Sequence, residues 1–210
     1  MDRVEVVQNY LDSLIPNPQC ELNFNTDYEL LIAIVLSAQT TDKRVNQVTK
    51  VLFHEYKNLE ELSNAKIDDV MKILRILGSF RKKSDYVISI AKILHNEYND
   101  KVPVNRKILE AMPGVGRKTV NVFFAEFYQI PAFAVDTHVE RVSKRLSLAK
   151  DNDNVIQIEG KLKRKFKRED WCKRHKQLVL FGRYYCKAVK PDCDSCSLKD
   201  ICKYYKNLNK

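Results

Sequence analysis

Glycine and proline are scarce, five and six in 210 residues, and alternating strand-like patterns are nearly absent. The helical period recurs instead, so the chain reads as all-α, many short helices joined by short loops. No apolar run approaches the ~20 residues of a membrane span. The longest, Leu30 to Leu36, is seven residues. The opening Met1-Asp2-Arg3-Val4-Glu5 has no apolar stretch of the kind a secretory leader needs. Internal repeats and low-complexity segments are also missing. These absences lead us to expect a soluble, cytoplasmic protein with no membrane partner.

Charge of one sign is in excess. Lys and Arg number 37 against 27 Asp and Glu, a net charge of +10. That balance suits a polyanionic partner, with nucleic acid ahead of an anionic membrane surface. At 44% hydrophobic, the chain can bury a core of one large domain or two small ones.

Several helices can be placed. Thr26-Asp27-Tyr28-Glu29 has the form of a capping box ahead of Leu30 to Leu36, a stretch apolar most of the way round and so predicted to be central and buried. Thr41 or Asp42 is placed to cap a helix carrying Val45, Val48 and Leu52. Ile67, Val70, Met71, Leu74 and Leu77 form another face, stopped by Gly78. Ser84 or Asp85 is read as the start of a helix with Val87, Ile88, Ala91 and Leu94. Val155, Ile158, Leu162 and Phe166 repeat at helical spacing.

Six cysteines are present, and four cluster as Cys186-x6-Cys193-x2-Cys196-x5-Cys202. A tight group of four thiols in an intracellular chain reads as a metal site rather than as two disulfides. The all-sulfur set suits an iron–sulfur cluster or zinc. Structural zinc sites usually pair knuckles with two to four intervening residues, and here only Cys193 and Cys196 do so. The long flanking gaps favour a 4Fe-4S cluster, with zinc second. Four unrelated structural thiols are the plain alternative. Cys20 and Cys172 are assigned no chemistry.

Two of the glycines stand close together in Leu109-Glu110-Ala111-Met112-Pro113-Gly114-Val115-Gly116-Arg117-Lys118-Thr119. A short helix, Arg106 to Ala111, is predicted to enter a tight turn, followed by a helix bearing Val120, Val122, Phe123 and Phe124. Glycine admits positive φ and a close neighbour. Bare amides at a helix N-terminus then attract a phosphate. Neither nucleotide motif fits. Arg117 separates Gly116 from Lys118, and Thr119 stands where a dinucleotide loop needs its third glycine. An ordinary helix–helix turn with two solvated basic residues is the plain alternative.

Together with Ser37-Ala38-Gln39-Thr40-Thr41-Asp42, Val135-Asp136-Thr137-His138-Val139 and the cysteine loop, this hairpin resembles the endonuclease III family, helix-hairpin-helix DNA glycosylases and abasic-site lyases, from about Glu21 to Cys202. The resemblance implies a six-helix barrel domain with the hairpin at residues 21–130. It implies an iron–sulfur cluster domain built from 1–20 and 131–210. Double-stranded DNA with damaged bases or abasic sites is the implied partner of a monomeric, nucleoid-associated enzyme. The implied activity is excision of oxidised pyrimidines and strand cleavage by β-elimination in base excision repair. Cys186, Cys193, Cys196 and Cys202 become ligands of a 4Fe-4S cluster.

Lys118 falls on the family's catalytic lysine. An amine can attack C1′ of the sugar and form an imine, which acidifies the 2′ protons and releases the 3′ phosphate. Burial and nearby positive charge favour a neutral amine. Arg117 adjoins Lys118, and the apolar run beyond it predicts partial burial. Asp136 matches the assisting carboxylate, although an aspartate ahead of a helix is most often a cap. His138 is expected to be structural, and Glu110 supporting at most. Gln39 matches the residue that fills the gap left by a flipped nucleotide. Gly114 and Gly116 form the phosphate-binding turn. Arg81-Lys82-Lys83, Arg141 to Arg145, and Lys187 with Lys190 are expected along phosphates. The family's loop after Gly78 usually presents a leucine wedge, and Ser79 stands there instead. Phe80 is therefore the expected wedge, with Arg81 on the orphaned strand, against the plain reading that Phe80 anchors the loop.

Two other classes fit less. A monofunctional mismatch glycosylase of this fold typically lacks a lysine at position 118. A non-catalytic iron–sulfur DNA-binding or sensor protein has no need of Lys118, Asp136 and Gln39 together.

Overall fold

All the regular structure among the described residues is helical, as the composition predicts. In the computed structural model, which describes residues 2–208, the helices are α1 (Arg3–Leu14), α2 (Asp27–Leu36), α3 (Asp42–Glu55), α4 (Leu59–Ser63), α5 (Ile67–Leu74), α6 (Phe80–Tyr98), α7 (Arg106–Ala111), α8 (Arg117–Glu126), α9 (Thr137–Arg145), α10 (Val155–Lys165), α11 (Trp171–Tyr184) and α12 (Lys203–Leu208). Short 3₁₀ turns occur at Arg168–Asp170 and Lys199–Ile201. The chain divides into two compact units. One is Cys20–Tyr128, and the other joins Met1–Gln19 to Gln129–Lys210.

The unit Cys20–Tyr128 is organised around α2. Every residue from Leu30 to Leu36 is buried, and α2 packs on α3, α6 and α8. Full burial of each large aliphatic chain contributes roughly 1.5–3 kcal/mol, so an all-round apolar helix belongs at the centre. Its start is half of the expected box. Thr26 accepts from the Glu29 N–H at 3.3 Å, but the Glu29 carboxylate accepts from Asn25, one residue earlier. The α3 face of Val45, Val48 and Leu52 is buried as the spacing requires.

Two boundaries differ. Helix α5 ends at Leu74, short of the expected stop at Gly78, and Leu77 is buried in the turn beyond it. Helix α6 begins at Phe80, ahead of the expected start at Ser84 or Asp85. Ser84 is fully buried in the first turns and donates its hydroxyl to the Phe80 carbonyl at 2.9 Å. Serine signals a cap when it bonds a forward N–H, and here it bonds backward within the helix. The chain enters α6 through Ser79, held at φ 55°.

The second unit packs α11 on α1 and α9, with α10 on α9. Its core includes Leu11, Phe133, Val139, Leu162 and Phe181. Gln177, fully buried on α11, donates to the Leu11 and Ile15 carbonyls at 3.1 and 2.9 Å. It thereby gives the Ile15 carbonyl just past the end of α1 a partner and adds a second bond to the Leu11 carbonyl, which already accepts from the Ile15 N–H. Gly182 permits the close crossing of α9 and α11, since a Cβ there would lie 2.9 Å from the His138 Cβ.

Candidate functional site

The hairpin forms where the sequence places it. Asn105 caps α7, accepting from the Lys107 and Ile108 amides at 3.0 and 3.3 Å. Arg106 reaches across to the Asn121 side chain of α8 at 2.6 Å and pairs with Glu110 on its own helix at 2.9 Å. Glu110 is thus a partner of Arg106, consistent with a supporting role. The two glycines do different work. Gly114 adopts φ +76°, and a Cβ there would lie 2.4 Å from the Tyr86 ring of α6. Gly116 is extended, with open space around it, and caps α8 with no side chain over the first-turn amides. Those amides therefore face outward, the arrangement that binds a phosphate oxygen.

Lys118 is the second residue of α8, and it is exposed. The expectation of partial burial fails for a geometric reason. Val120 lies two residues on, about 200° around the helix. It is fully buried on the opposite side, with Phe123.

Gln39 is exposed at the end of α2 and holds φ 54°, left-handed for a residue with a side chain. At the start of α6, Ser79 is exposed, Phe80 is half-buried and Arg81 is exposed with its guanidinium 4.8 Å from the Phe80 ring centre. Ile76, in the turn between α5 and α6, is an aliphatic side chain 48% exposed that the sequence patterns did not single out. Lys83 departs from the expected phosphate-facing run. It is 5% exposed and is turned inward.

In the other unit, Asp136 caps α9, and one carboxylate oxygen accepts from the Val139 N–H at 2.8 Å. The plain reading of this aspartate is therefore realised, and its second oxygen stays clear of that bond. His138 sits 3.2 Å from Arg141, consistent with a structural histidine. The run Arg141 to Arg145 is committed inward, contrary to its expected place along phosphates. Arg141 donates to the Gly182 and Cys186 carbonyls at 2.7 and 3.1 Å. Arg145 donates to the Lys187 and Ala188 carbonyls at 2.7 and 3.3 Å, and lies 3.8 Å from the Tyr204 ring centre. A helix-facing arginine fork satisfies several carbonyls of an irregular loop at once. Lys187 and Lys190, which extend from that loop, are exposed.

Cys186, Cys193, Cys196 and Cys202 all line one small cavity, with Phe181, Tyr185, Tyr204 and Tyr205. All four are free thiols. Among the described residues, no three histidine, cysteine or acidic side chains are arranged to hold a single metal ion. Burial and the neighbouring sulfurs push the Cys193 thiol up. Burial does the same at Cys196. Desolvation beside Cys196 pushes the Tyr10 phenol up to about 12. Arg145 donates to the Cys186 sulfur at 3.3 Å. Four sulfurs around one low-dielectric cavity, with a cation aimed at one of them, fit a thiolate-bound cluster. A soft cation supplies the positive charge that lets such thiols ionise.

Comparison with known proteins shows the family of the chain. The model of the HhH-GPD superfamily of base excision DNA repair proteins matches residues 32–168. The chain is 39% identical to endonuclease III of Bacillus subtilis over 97% of its length and 93% of that protein. It is 39% identical to endonuclease III of Escherichia coli K12, covering 92% of each. Two solved endonuclease III structures, a trapped covalent intermediate with DNA and a non-covalent DNA complex, superpose with TM-scores of 0.93 and 0.94 at 38% identity over the whole of both chains. A thermostable thymine-DNA glycosylase shares the fold at TM-score 0.83 and 22% identity. With its all-helical architecture, its hairpin and this degree of identity, the chain belongs to the endonuclease III family of the HhH-GPD superfamily.

Proposed function

We propose that this protein is a bifunctional DNA glycosylase and abasic-site lyase acting on oxidised pyrimidines in duplex DNA, as part of base excision repair in the cytoplasm and on the nucleoid. The observation that carries the reading is the exposed Lys118 amine, two residues past a glycine hairpin whose amides are open to a phosphate. The hairpin holds the DNA backbone through Gly114 and Gly116, and the amine beside it attacks C1′ of the damaged nucleotide. The C1′–N bond breaks, and the base leaves with a proton. The sugar ring opens to an imine on Lys118. Loss of a 2′ proton then expels the 3′ phosphate, and water hydrolyses the imine to free the enzyme. Asp136 supplies a carboxylate that stabilises positive charge at C1′ and carries protons. Gln39 fills the gap left by the flipped nucleotide, and Phe80 wedges into the stack with Arg81 on the opposite strand. Lys187 and Lys190 contact phosphates.

Cys186, Cys193, Cys196 and Cys202 would hold a 4Fe-4S cluster. Held there, it would order the basic loop 187–190 and would supply no bond-breaking chemistry.

The test is product analysis on a duplex with one oxidised pyrimidine. The wild type should release the base and leave a β-elimination end. Lys118→Gln should release neither product at a comparable rate while still binding abasic duplex. Base release without strand cleavage by the wild type would favour a monofunctional glycosylase. Binding with no chemistry at all would favour the non-catalytic reading.

A further inference from the structure

Lys83 is a buried cation, 5% exposed. It lies in the first turn of α6, where its own amide donates to the Ser79 carbonyl at 3.0 Å. Its ammonium donates to the Ala38 carbonyl at 2.8 Å and to the Thr40 hydroxyl at 2.9 Å. Those are the residues immediately before and after Gln39. The same short segment carries further internal bonds. Thr40 N–H donates to the Ser37 carbonyl at 3.0 Å, and the Thr40 hydroxyl lies 3.3 Å from the Ala38 carbonyl. Among the described residues no carboxylate pairs with Lys83.

Burying an ammonium without a counter-charge is costly, and desolvation lowers its affinity for a proton. Gln39 at φ 54° adds backbone strain, since a residue with a side chain disfavours the left-handed region. Two unfavourable features joined through Ala38 and Thr40 point to one purpose, because such strain persists only when its surroundings over-determine it. Lys83 is also placed between segments with assigned roles. Ser79 and Phe80 precede it on the same turn. Tyr86, three residues later, packs its ring against Gly114 of the hairpin. The first turns of α6 thus touch the Gln39 segment, the Phe80 segment and the hairpin.

We infer that Lys83 is a positioning residue, a buried clamp that fixes the left-handed backbone of Gln39 and couples the gap-filling segment to the Phe80 segment. It acts through Ala38 and Thr40 and makes no contact with DNA. The proposal deepens the DNA-repair reading, because it gives Gln39 a purpose only if that residue enters the duplex.

The experiment measures affinity for a duplex carrying a tetrahydrofuran abasic analogue, with undamaged duplex as reference, in four proteins: wild type, Lys83→Met, Gln39→Ala and the double variant. Lys83→Met should weaken binding to the analogue about tenfold and leave undamaged DNA unchanged. In the Gln39→Ala background the same substitution should cost almost nothing, since the clamp then has nothing to position. The salt dependence of binding should not change, because a buried cation displaces no counterion. Equal losses in both backgrounds, or a loss on undamaged DNA with a shallower salt slope, would overturn the proposal in favour of fold support or phosphate contact. No loss at all would overturn it too. Should Lys83→Met fail to fold, Thr40→Val removes one acceptor and should show a smaller loss with the same dependence on Gln39. Cleavage of abasic DNA by the wild type tests the enzyme reading separately, and the tetrahydrofuran duplex, which forms no imine, keeps the binding result independent of it.

Discussion

At the residue scale, the two hairpin glycines separate conformational need from surface chemistry. Gly114→Ala forces a Cβ into the Tyr86 ring and a left-handed backbone at φ +76°. It should destabilise the protein by at least about 1–2 kcal/mol, read as a lower melting temperature. Gly116→Ala meets nothing within 4 Å and should cost less than about 1 kcal/mol. Asp136→Asn keeps an oxygen for the Val139 N–H, so the cap survives and the fold should melt normally. Its turnover should fall by about a hundredfold, because the carboxylate charge is gone. Unfolding of Asp136→Asn would show that the charge serves α9 rather than chemistry. Glycine positions and the cap were legible from local sequence, since both obey short-range rules. The inward turn of Lys83, Arg141 and Arg145 was not. A lysine in a run with Arg81 and Lys82 looks solvated until another segment is folded over it.

At the element scale, α1 and α11 are joined by Asp12. Its carboxylate accepts two bonds from Arg174 at 2.8 and 2.9 Å, and pairs with Lys173 at 2.6 Å. The Arg174 bonds hold its carboxyl well below the usual range. A depressed folded value means the pair stabilises fully above the unfolded carboxyl value of about 3.9, and that contribution is lost as pH falls through the lower folded value. The melting temperature of the wild type should therefore drop on acidification below about pH 4 more steeply than that of Asp12→Asn. At neutral pH Asp12→Asn should already be less stable by about 1–3 kcal/mol, because Arg174 is left buried with a weaker acceptor. Parallel acid profiles would remove Asp12 from the account. Helices α2 and α3 were readable from periodicity, and α7 from the glycine turn that follows it, although Thr41 ahead of α3 makes no side-chain cap bond. The start of α6 was not, because Ser84 has the residue type of a cap and the back-bonding role of a helix interior. Nothing in the spacing marked α11, whose buried face includes Arg174, His175 and Gln177, polar residues that only tertiary partners can satisfy.

For the whole molecule, composition gave the helical class and the basic charge, and the cysteine spacing gave a shared cavity. Purified protein should be yellow-brown with about four irons per chain, from thiolate-to-iron charge transfer. Removing the iron should loosen the segment from Cys186 to Cys202, seen as faster amide exchange there, because the loop has little apolar surface of its own to bury. A colourless protein with one zinc would replace the cluster. No helix among the described residues is long and apolar enough to cross a membrane.

The central claim is that the Lys118 amine bonds to C1′ of DNA. Borohydride reduction during reaction with an abasic duplex, then proteolysis and mass spectrometry of the adduct, tests it most directly. The account predicts the sugar remnant on the peptide containing Lys118, with no adduct in Lys118→Gln. A remnant on any other amine, or a full yield of adduct from Lys118→Gln, would contradict it.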